Sequence, residues 1–331
     1  MKFNPFSDQG ITNYEQFKKY PFLVFGTLRL IQNRIAQQKK QIKNGYFFGE
    51  RLIILGERGI GKTSTLFFVK DSLSSDNINV ELFSRLPEDA EHFSVITGKT
   101  LAESTQRPIY ILIDFPDTIE TGKFRKFLNF LWTLMTHRNY NKINLIFAMN
   151  KSHYEKSFSY SEIFGKFMTL RLERFNRDET EELITSRLRL IDMPVDAIFP
   201  SDIINIIFEY SKGIPRNIIS ACSLLVDSSN GNKVQKSDAD AILKERYFEQ
   251  VINDRVEDLE LKRIYKQMVQ ILQSDFNGHA TNQEEYVKRV REILELGRNS
   301  ILCRIKELEK FGIFSLYRGG YNRRNKIISL R

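Results

Sequence analysis

Gly56-Glu57-Arg58-Gly59-Ile60-Gly61-Lys62-Thr63, GERGIGKT in one-letter code, is the stretch on which the fold turns. A glycine, four residues, then Gly-Lys-Thr is the spacing of a P-loop. The flanks agree with it. Arg51-Leu52-Ile53-Ile54-Leu55 is a short apolar run entering the loop, and residues 64–73 carry a helical pattern leaving it. Glycines in such a loop let backbone N–H groups close around phosphate oxygens, and the helix N-terminus that follows faces the anion. On this reading Gly56, Glu57, Arg58, Gly59, Ile60, Gly61, Lys62, Thr63 and Ser64 form a cradle for ATP. Lys62 is expected to reach the β- and γ-phosphates and Thr63 to hold Mg²⁺. The plainer reading is a glycine-rich turn joining a strand to a helix; the flanking elements favour the phosphate reading.

The rest of the composition sets bounds. The chain has 331 residues, enough for two or three domains, and its 41% hydrophobic content suits a protein with a sizeable core. No apolar run approaches the ~20 residues needed to span a bilayer. The opening MKFNPFSDQG lacks the apolar segment of a signal peptide, so a cytoplasmic, membrane-free protein is expected. Cys222 and Cys303 lie on apolar helical faces and are expected to be buried thiols. The four histidines are scattered, without metal-ligand spacing, so zinc is not expected. A net charge of +9 favours a polyanionic partner, and that charge becomes informative once it is located.

Along the chain the pattern changes three times. Residues 1–46 read as a lead-in with one helix over 17–43. From 47 to 175 short apolar runs at 52–55, 80–83, 109–113, 145–148 and 169–172 alternate with amphipathic stretches at 64–73, 90–102, 124–136 and 161–167. That alternation predicts an α/β core with a parallel sheet. Residues 176–250 carry helical patterns only, at 178–189, 201–212, 217–226 and 237–247, and predict a helical lid. A charged linker at 253–257 leads to a last domain over 251–331. There helices are predicted at 259–273, 284–294 and 299–311, then strands at 313–318 and 326–330. Three helices followed by a hairpin is the order of a winged helix-turn-helix.

Further residues carry chemistry. Asp114 ends the apolar run Ile109-Tyr110-Ile111-Leu112-Ile113 and is placed to hold Mg²⁺ opposite Thr63; the alternative is a polar residue at the exit of any buried strand. In a P-loop ATPase this acid is expected at the end of a strand neighbouring the P-loop strand. Asn150 ends the next apolar run, where it would orient water or contact a γ-phosphate, or simply cap a turn. Arg216, in Gly213-Ile214-Pro215-Arg216, presents a permanently charged fork suited to a γ-phosphate; otherwise it is a surface residue after a Gly-Pro turn.

The positive charge concentrates at the C-terminus. Residues 312–331 include Arg318, Arg323, Arg324, Lys326 and Arg331 and no acid, with Tyr317 and Tyr321 among them. This suits contact with the phosphates and minor groove of double-stranded DNA. Arg298, Asn299, Ser300 and Arg304 begin the third helix, where such motifs face base edges. A protein-binding winged helix with a solvated hairpin is the competing reading.

The order GERGIGKT, ILIDFPD, an Asn after the next strand and GIPR in a helical lid resembles that of AAA+ ATPases. With a winged helix after the lid, the chain looks like the origin-recognition initiator ATPases of archaea. Its lid and GIPR are also similar to AAA+ ATPases that select targets for transposition. The resemblance implies that Lys62, Thr63 and Asp114 serve nucleotide and Mg²⁺, that Asn150 is sensor 1 and that Arg216 is sensor 2. It also exposes a departure. The family has Glu after the Asp114 position, to activate water, and this chain has Phe115. Asp117 fits the family's second acid; Asp117 or Glu120 would have to substitute as base. Slow hydrolysis, with ATP binding as the conformational switch, is the expectation. Lys166 and Arg171 lie in the region of the family's arginine finger without matching a motif. The implied job is origin initiation on double-stranded DNA, with self-association or an effector protein engaged through the core. The alternative is a regulator that recruits a transposase, nuclease or other effector. A signalling ATPase whose winged helix binds protein is a third class.

Overall fold

The computed structural model describes residues 4–7, 13–20, 22–46, 49–74, 78–83, 98–99, 102, 108–116, 121–136, 140–151, 154–155, 163–256, 258–318 and 326–330. The chain divides into two units, Met1–Lys236 and Ser237–Arg331.

The first unit is built on five parallel strands: β1 (Arg51–Leu55), β2 (Asn79–Phe83), β3 (Ile109–Asp114), β4 (Ile143–Met149) and β5 (Met168–Arg171). Their order across the sheet is β2-β3-β4-β1-β5. All of β4 is buried, because it lies centrally with helices over both faces. Alternation along each strand decides which face a residue joins. Leu52 and Ile54 turn to the side covered by α2 (Gly26–Lys43) and α3 (Lys62–Ser74), where they meet Ile31, Leu66 and Val69. Ile53 and Leu55 turn to the side covered by α4 (Thr121–Thr136), where they meet Phe127, Leu131 and Leu134. Strands buried on both faces need apolar residues throughout, which is why they stood out as unbroken runs.

Some local expectations change. Two helices, α1 (Tyr14–Lys19) and α2, lie where a single helix over 17–43 was expected; the sequence has Pro21 in the interval, a residue that cannot continue a helix. The helix expected at 161–167 is a short 3₁₀ turn, Phe164–Lys166, among the described residues. The one expected at 90–102 falls almost wholly outside them.

The lead-in touches both layers of this unit. Phe6 is fully buried with its ring 5.9 Å from that of Phe199, and the Asn4 amide donates to Asp227 at 2.8 Å. The Tyr14 hydroxyl donates to Asp71 on α3 at 2.5 Å; burial and this bond push its phenol up to about 12.

After β5 the chain is helical: α5 (Arg177–Leu188), α6 (Val195–Ile198), α7 (Ser201–Ser211) and α8 (Pro215–Ser228). Asn176 caps α5 in a reciprocal box, accepting from the Glu179 N–H while the Glu179 carboxylate accepts from its own. Pro215 opens α8, where its missing N–H costs nothing. Arg187 is buried, with its guanidinium 3.5 Å from the Tyr20 ring centre.

The second unit contains α9 (Lys236–Arg255), α10 (Leu259–Phe276), β6 (His279–Ala280), α11 (Gln283–Leu294), α12 (Arg298–Lys310), β7 (Phe314–Arg318) and β8 (Lys326–Leu330). The helix expected to end at residue 247 runs on to Arg255, and its Phe248, Ile252 and Val256 join this unit's core. Three helices are followed by the antiparallel pair β7–β8, and β6 adds to the other edge of β8. Tyr286 is buried at the centre, its hydroxyl donating to the Met268 carbonyl at 2.7 Å. The two cysteines differ: Cys222 is buried, as expected, and burial pushes its thiol up, whereas Cys303 is exposed. Helix phase explains the second case, since Ile301, Ile305 and Leu308 point inward and position 303 lies away from them. Among the described residues no helix is long and apolar enough to cross a membrane.

Candidate nucleotide site and basic C-terminal helix

The site forms where β1, β3 and β4 end. Gly59 and Gly61 hold φ of +83° and +102°, which side-chain-bearing residues avoid, and the loop between β1 and α3 depends on them. Gly56 is constrained by space: a Cβ there would lie 2.4 Å from Ile60 Cγ2. The Lys62 ammonium folds back into the loop and donates to the carbonyls of Gly56 at 3.1 Å and Glu57 at 2.9 Å. Thr63 and Ser64 are half-buried in the first turn of α3, while Arg58 is exposed at the tip of the loop.

Asp114 meets Thr63 directly, its carboxylate accepting from the hydroxyl at 2.5 Å. One expectation about this acid changes. It does not end a strand adjacent to β1, because β4 lies between β1 and β3. The end of β4 binds both sides together: the Gly56 N–H donates to Met149 O at 3.3 Å and the Phe115 N–H to Ala148 O at 2.8 Å. Asn150 follows β4 at this junction and is half-buried. Two hard oxygens, on Thr63 and Asp114, suit Mg²⁺. The glycine-built cradle with an ammonium inside it suits a polyphosphate, so the residues present fit both groups.

The lid reaches this loop through its Gly-Ile-Pro-Arg turn. The Arg216 N–H donates to the Gly59 carbonyl at 3.3 Å, and the Arg216 side chain is exposed. Gly213, at φ +72°, packs so closely that a Cβ would lie 2.0 Å from the Phe175 carbonyl oxygen.

In the second unit, the residues expected to face DNA differ in setting. Arg298 and Asn299 are exposed at the start of α12, and Arg298 forms a two-pronged pair with Glu284, at 2.6 and 3.3 Å. That bond holds the Arg298 proton more firmly than usual. Ser300 is half-buried, and Arg304 donates to its carbonyl at 3.2 Å and to its hydroxyl. The outward face of α12 is instead Asn299, Cys303, Lys306 and Lys310, at helical spacing. Arg318 ends β7 opposite Lys326 at the start of β8. Arg323, Arg324, Asp117 and Glu120 lie outside the described residues.

No family model matches the chain, and no curated protein matches it. Solved structures do. The Orc1 protein of Aeropyrum pernix, in complex with DNA, aligns over 90% of this chain and 87% of its own, with a TM-score of 0.53 at 13% identity. The Orc2 protein of the same organism, in ADPNP–ADP complexes, aligns over 99% and 93%, at 0.51 and 12%. A RuvB point mutant from Thermotoga maritima aligns over 94% and 96%, at 0.50 and 14%. The fold is that of an AAA+ P-loop ATPase. At these identities the likeness is one of fold.

Within the AAA+ frame, the position after Asp114 is turned inward. Phe115 is only 4% exposed, with its ring centre 5.1 Å from that of Phe127 and 5.6 Å from that of Phe147. It belongs to the core beneath α4 and not to the cradle. Sequence reasoning missed two features. One is a narrow cleft beside Ile60, lined by Phe25, Gly26, Leu172 and Phe175; its walls are too far apart in sequence for any local pattern to reveal it. The other is an ion pair between Glu57 and Arg174, for the same reason. Lys306 and Lys310 were legible from the helical period of α12 once its inward face was assigned.

Proposed function

We propose that this chain is an ATP-binding AAA+ protein that engages double-stranded DNA through a C-terminal winged helix, with nucleotide setting the angle of the lid. The observation that carries the reading is the convergence at the carboxyl ends of β1 and β3: Lys62 within the cradle, Thr63 against Asp114, and the Arg216 turn docked on Gly59. Lys62 and the loop N–H groups would hold the β- and γ-phosphates. Thr63 and Asp114 would hold Mg²⁺, which when bound neutralises phosphate charge. The cleft beside Ile60, about 40 Å³ in volume and lined by Phe25, Leu172 and Phe175 together with Glu173 and Arg174, would have to widen to take the base. Arg216 would meet the γ-phosphate and so tie lid position to nucleotide state. With Phe115 in the core, no carboxylate stands directly after Asp114 to activate water, Asp117 or Glu120 would have to serve instead, and slow turnover is expected.

DNA is the favoured partner of the second unit. Asn299, Lys306 and Lys310 lie outward on α12, and the following hairpin region is basic. The Orc1 neighbour is itself a DNA complex, which supports the same partner here, and origin initiation remains the implied task. The buried Phe115 favours a second reading, a regulator that recruits an effector to DNA, because such a protein works without turnover.

The test is anisotropy of labelled duplex DNA with Mg·ATP, Mg·ADP or no nucleotide, at several salt concentrations, alongside steady-state ATPase. The account predicts DNA affinity that changes with nucleotide. Lys306→Ala combined with Lys310→Ala should reduce the salt slope by about two if both meet phosphates. Identical slopes, with affinity indifferent to nucleotide, would refute it.

A further inference from the structure

Three consecutive residues after β5 make contacts that join the P-loop to the helices beyond it. Arg174 holds the Glu57 carboxylate on both prongs, Nε to Oε1 at 2.5 Å and Nη2 to Oε2 at 2.8 Å. The Phe175 N–H donates at 2.8 Å to the carbonyl of Gly213, on the turn that carries Arg216. Asn176 caps α5, the first lid helix. Glu57 is gripped from a second direction too, because its own carbonyl accepts from the Lys62 ammonium. A fork on a carboxylate fixes direction as well as distance. Glu57 is also an acid inside a loop built for an anion, so its charge opposes the ligand unless a cation is held beside it.

We propose that Glu57 and Arg174 are a positioning pair that carries phosphate occupancy from the P-loop to the root of the lid, in parallel with Arg216. The proposal rests on the nucleotide reading above. A phosphate competes with two loop carbonyls for the Lys62 ammonium and wins, because its oxygens carry full negative charge whereas the carbonyls are neutral. The Glu57 peptide is then released from Lys62 while its carboxylate stays fastened to Arg174. Movement of the loop is thereby delivered to residues 174–176, which set where α5 begins and hold Gly213. A ligand shifts such an equilibrium only through its difference in affinity for the two arrangements. The pair makes that difference depend on how strongly phosphate draws Lys62 from the loop, and a γ-phosphate adds to the pull of the β-phosphate.

The test is a double-substitution cycle in the full chain: Glu57→Gln, Arg174→Gln and both together. Dissociation constants for Mg·ATP and Mg·ADP are measured by calorimetry, and folding is checked by thermal unfolding. Each single substitution is expected to narrow the ratio of ATP to ADP affinity about fivefold, the lower end of coupling between sites. The double substitution is expected to narrow it no further, since either change alone opens the pair. Arg174→Lys keeps the charge and loses the fork, and should recover part of the ratio. Both side chains are about half exposed, so unfolding temperatures should stay near that of the unmodified chain. A ratio unchanged in both single variants, or effects that simply add in the double one, overturns the pair's role. Failure of the unmodified chain to bind either nucleotide overturns the nucleotide reading, and this proposal with it.

Discussion

The main-chain N–H of Arg216 donates to the main-chain carbonyl of Gly59 at 3.3 Å, so the lid docks on the P-loop through backbone while the Arg216 side chain stays exposed. Under the proposed function, docking and sensing would be carried by different atoms of one residue. A substitution can remove the second and leave the first.

Arg216→Ala should therefore keep the fold and narrow the distinction between nucleotides. A lost charge-assisted bond to phosphate is worth about 1.5–3 kcal/mol, so ATP affinity should fall by a factor of roughly 10–100. ADP affinity should stay within about twofold, because the guanidinium is assigned to the γ-phosphate alone. Calorimetry with both nucleotides checks this, and an equal loss for ADP would reassign the residue to general charge attraction.

Phe115→Glu restores the residue that the AAA+ resemblance implies, yet it should not restore hydrolysis. The side chain lies among Phe127, Phe147 and Phe124, with no cation described beside it. An uncompensated charge buried there costs about 3–5 kcal/mol. At about 2–4 °C per kcal/mol for a unit of this size, thermal unfolding should drop by about 10 °C. A stable variant with raised ATPase activity would mean that position 115 faces the cradle.

Much of this was legible in the sequence, for physical reasons that also mark where it stopped. The P-loop and the strand ending at Asp114 could be read because a phosphate cradle fixes residue spacing and a strand buried on both faces must be apolar throughout. Strand order could not, because nothing within β4 says that it lies between β1 and β3. The Glu57–Arg174 pair spans 117 positions and leaves no local pattern. β6 has two residues, too few to show alternation. The burial expected of Cys303 failed on helix phase: Leu302 and Arg304 flank it on the half-buried sides of α12, and the thiol takes the exposed position between them.

That exposed thiol can report on the DNA contact proposed for α12. In the native chain one thiol should react promptly with a thiol reagent, since Cys222 is buried and its thiolate is disfavoured; denaturant should reveal both. If α12 enters the major groove, saturating duplex DNA should slow alkylation of Cys303 about tenfold or more, at low salt only. Unchanged labelling under saturating DNA would move the interface off this helix.

The central claim is that the GERGIGKT loop grips a triphosphate, and titration calorimetry with Mg·ATP tests it most directly, on the unmodified chain and on Lys62→Ala. The account predicts one bound nucleotide per chain, and no measurable binding by a Lys62→Ala variant whose thermal unfolding is otherwise intact. Unaltered ATP affinity in that variant, or no binding by the unmodified chain, would contradict it.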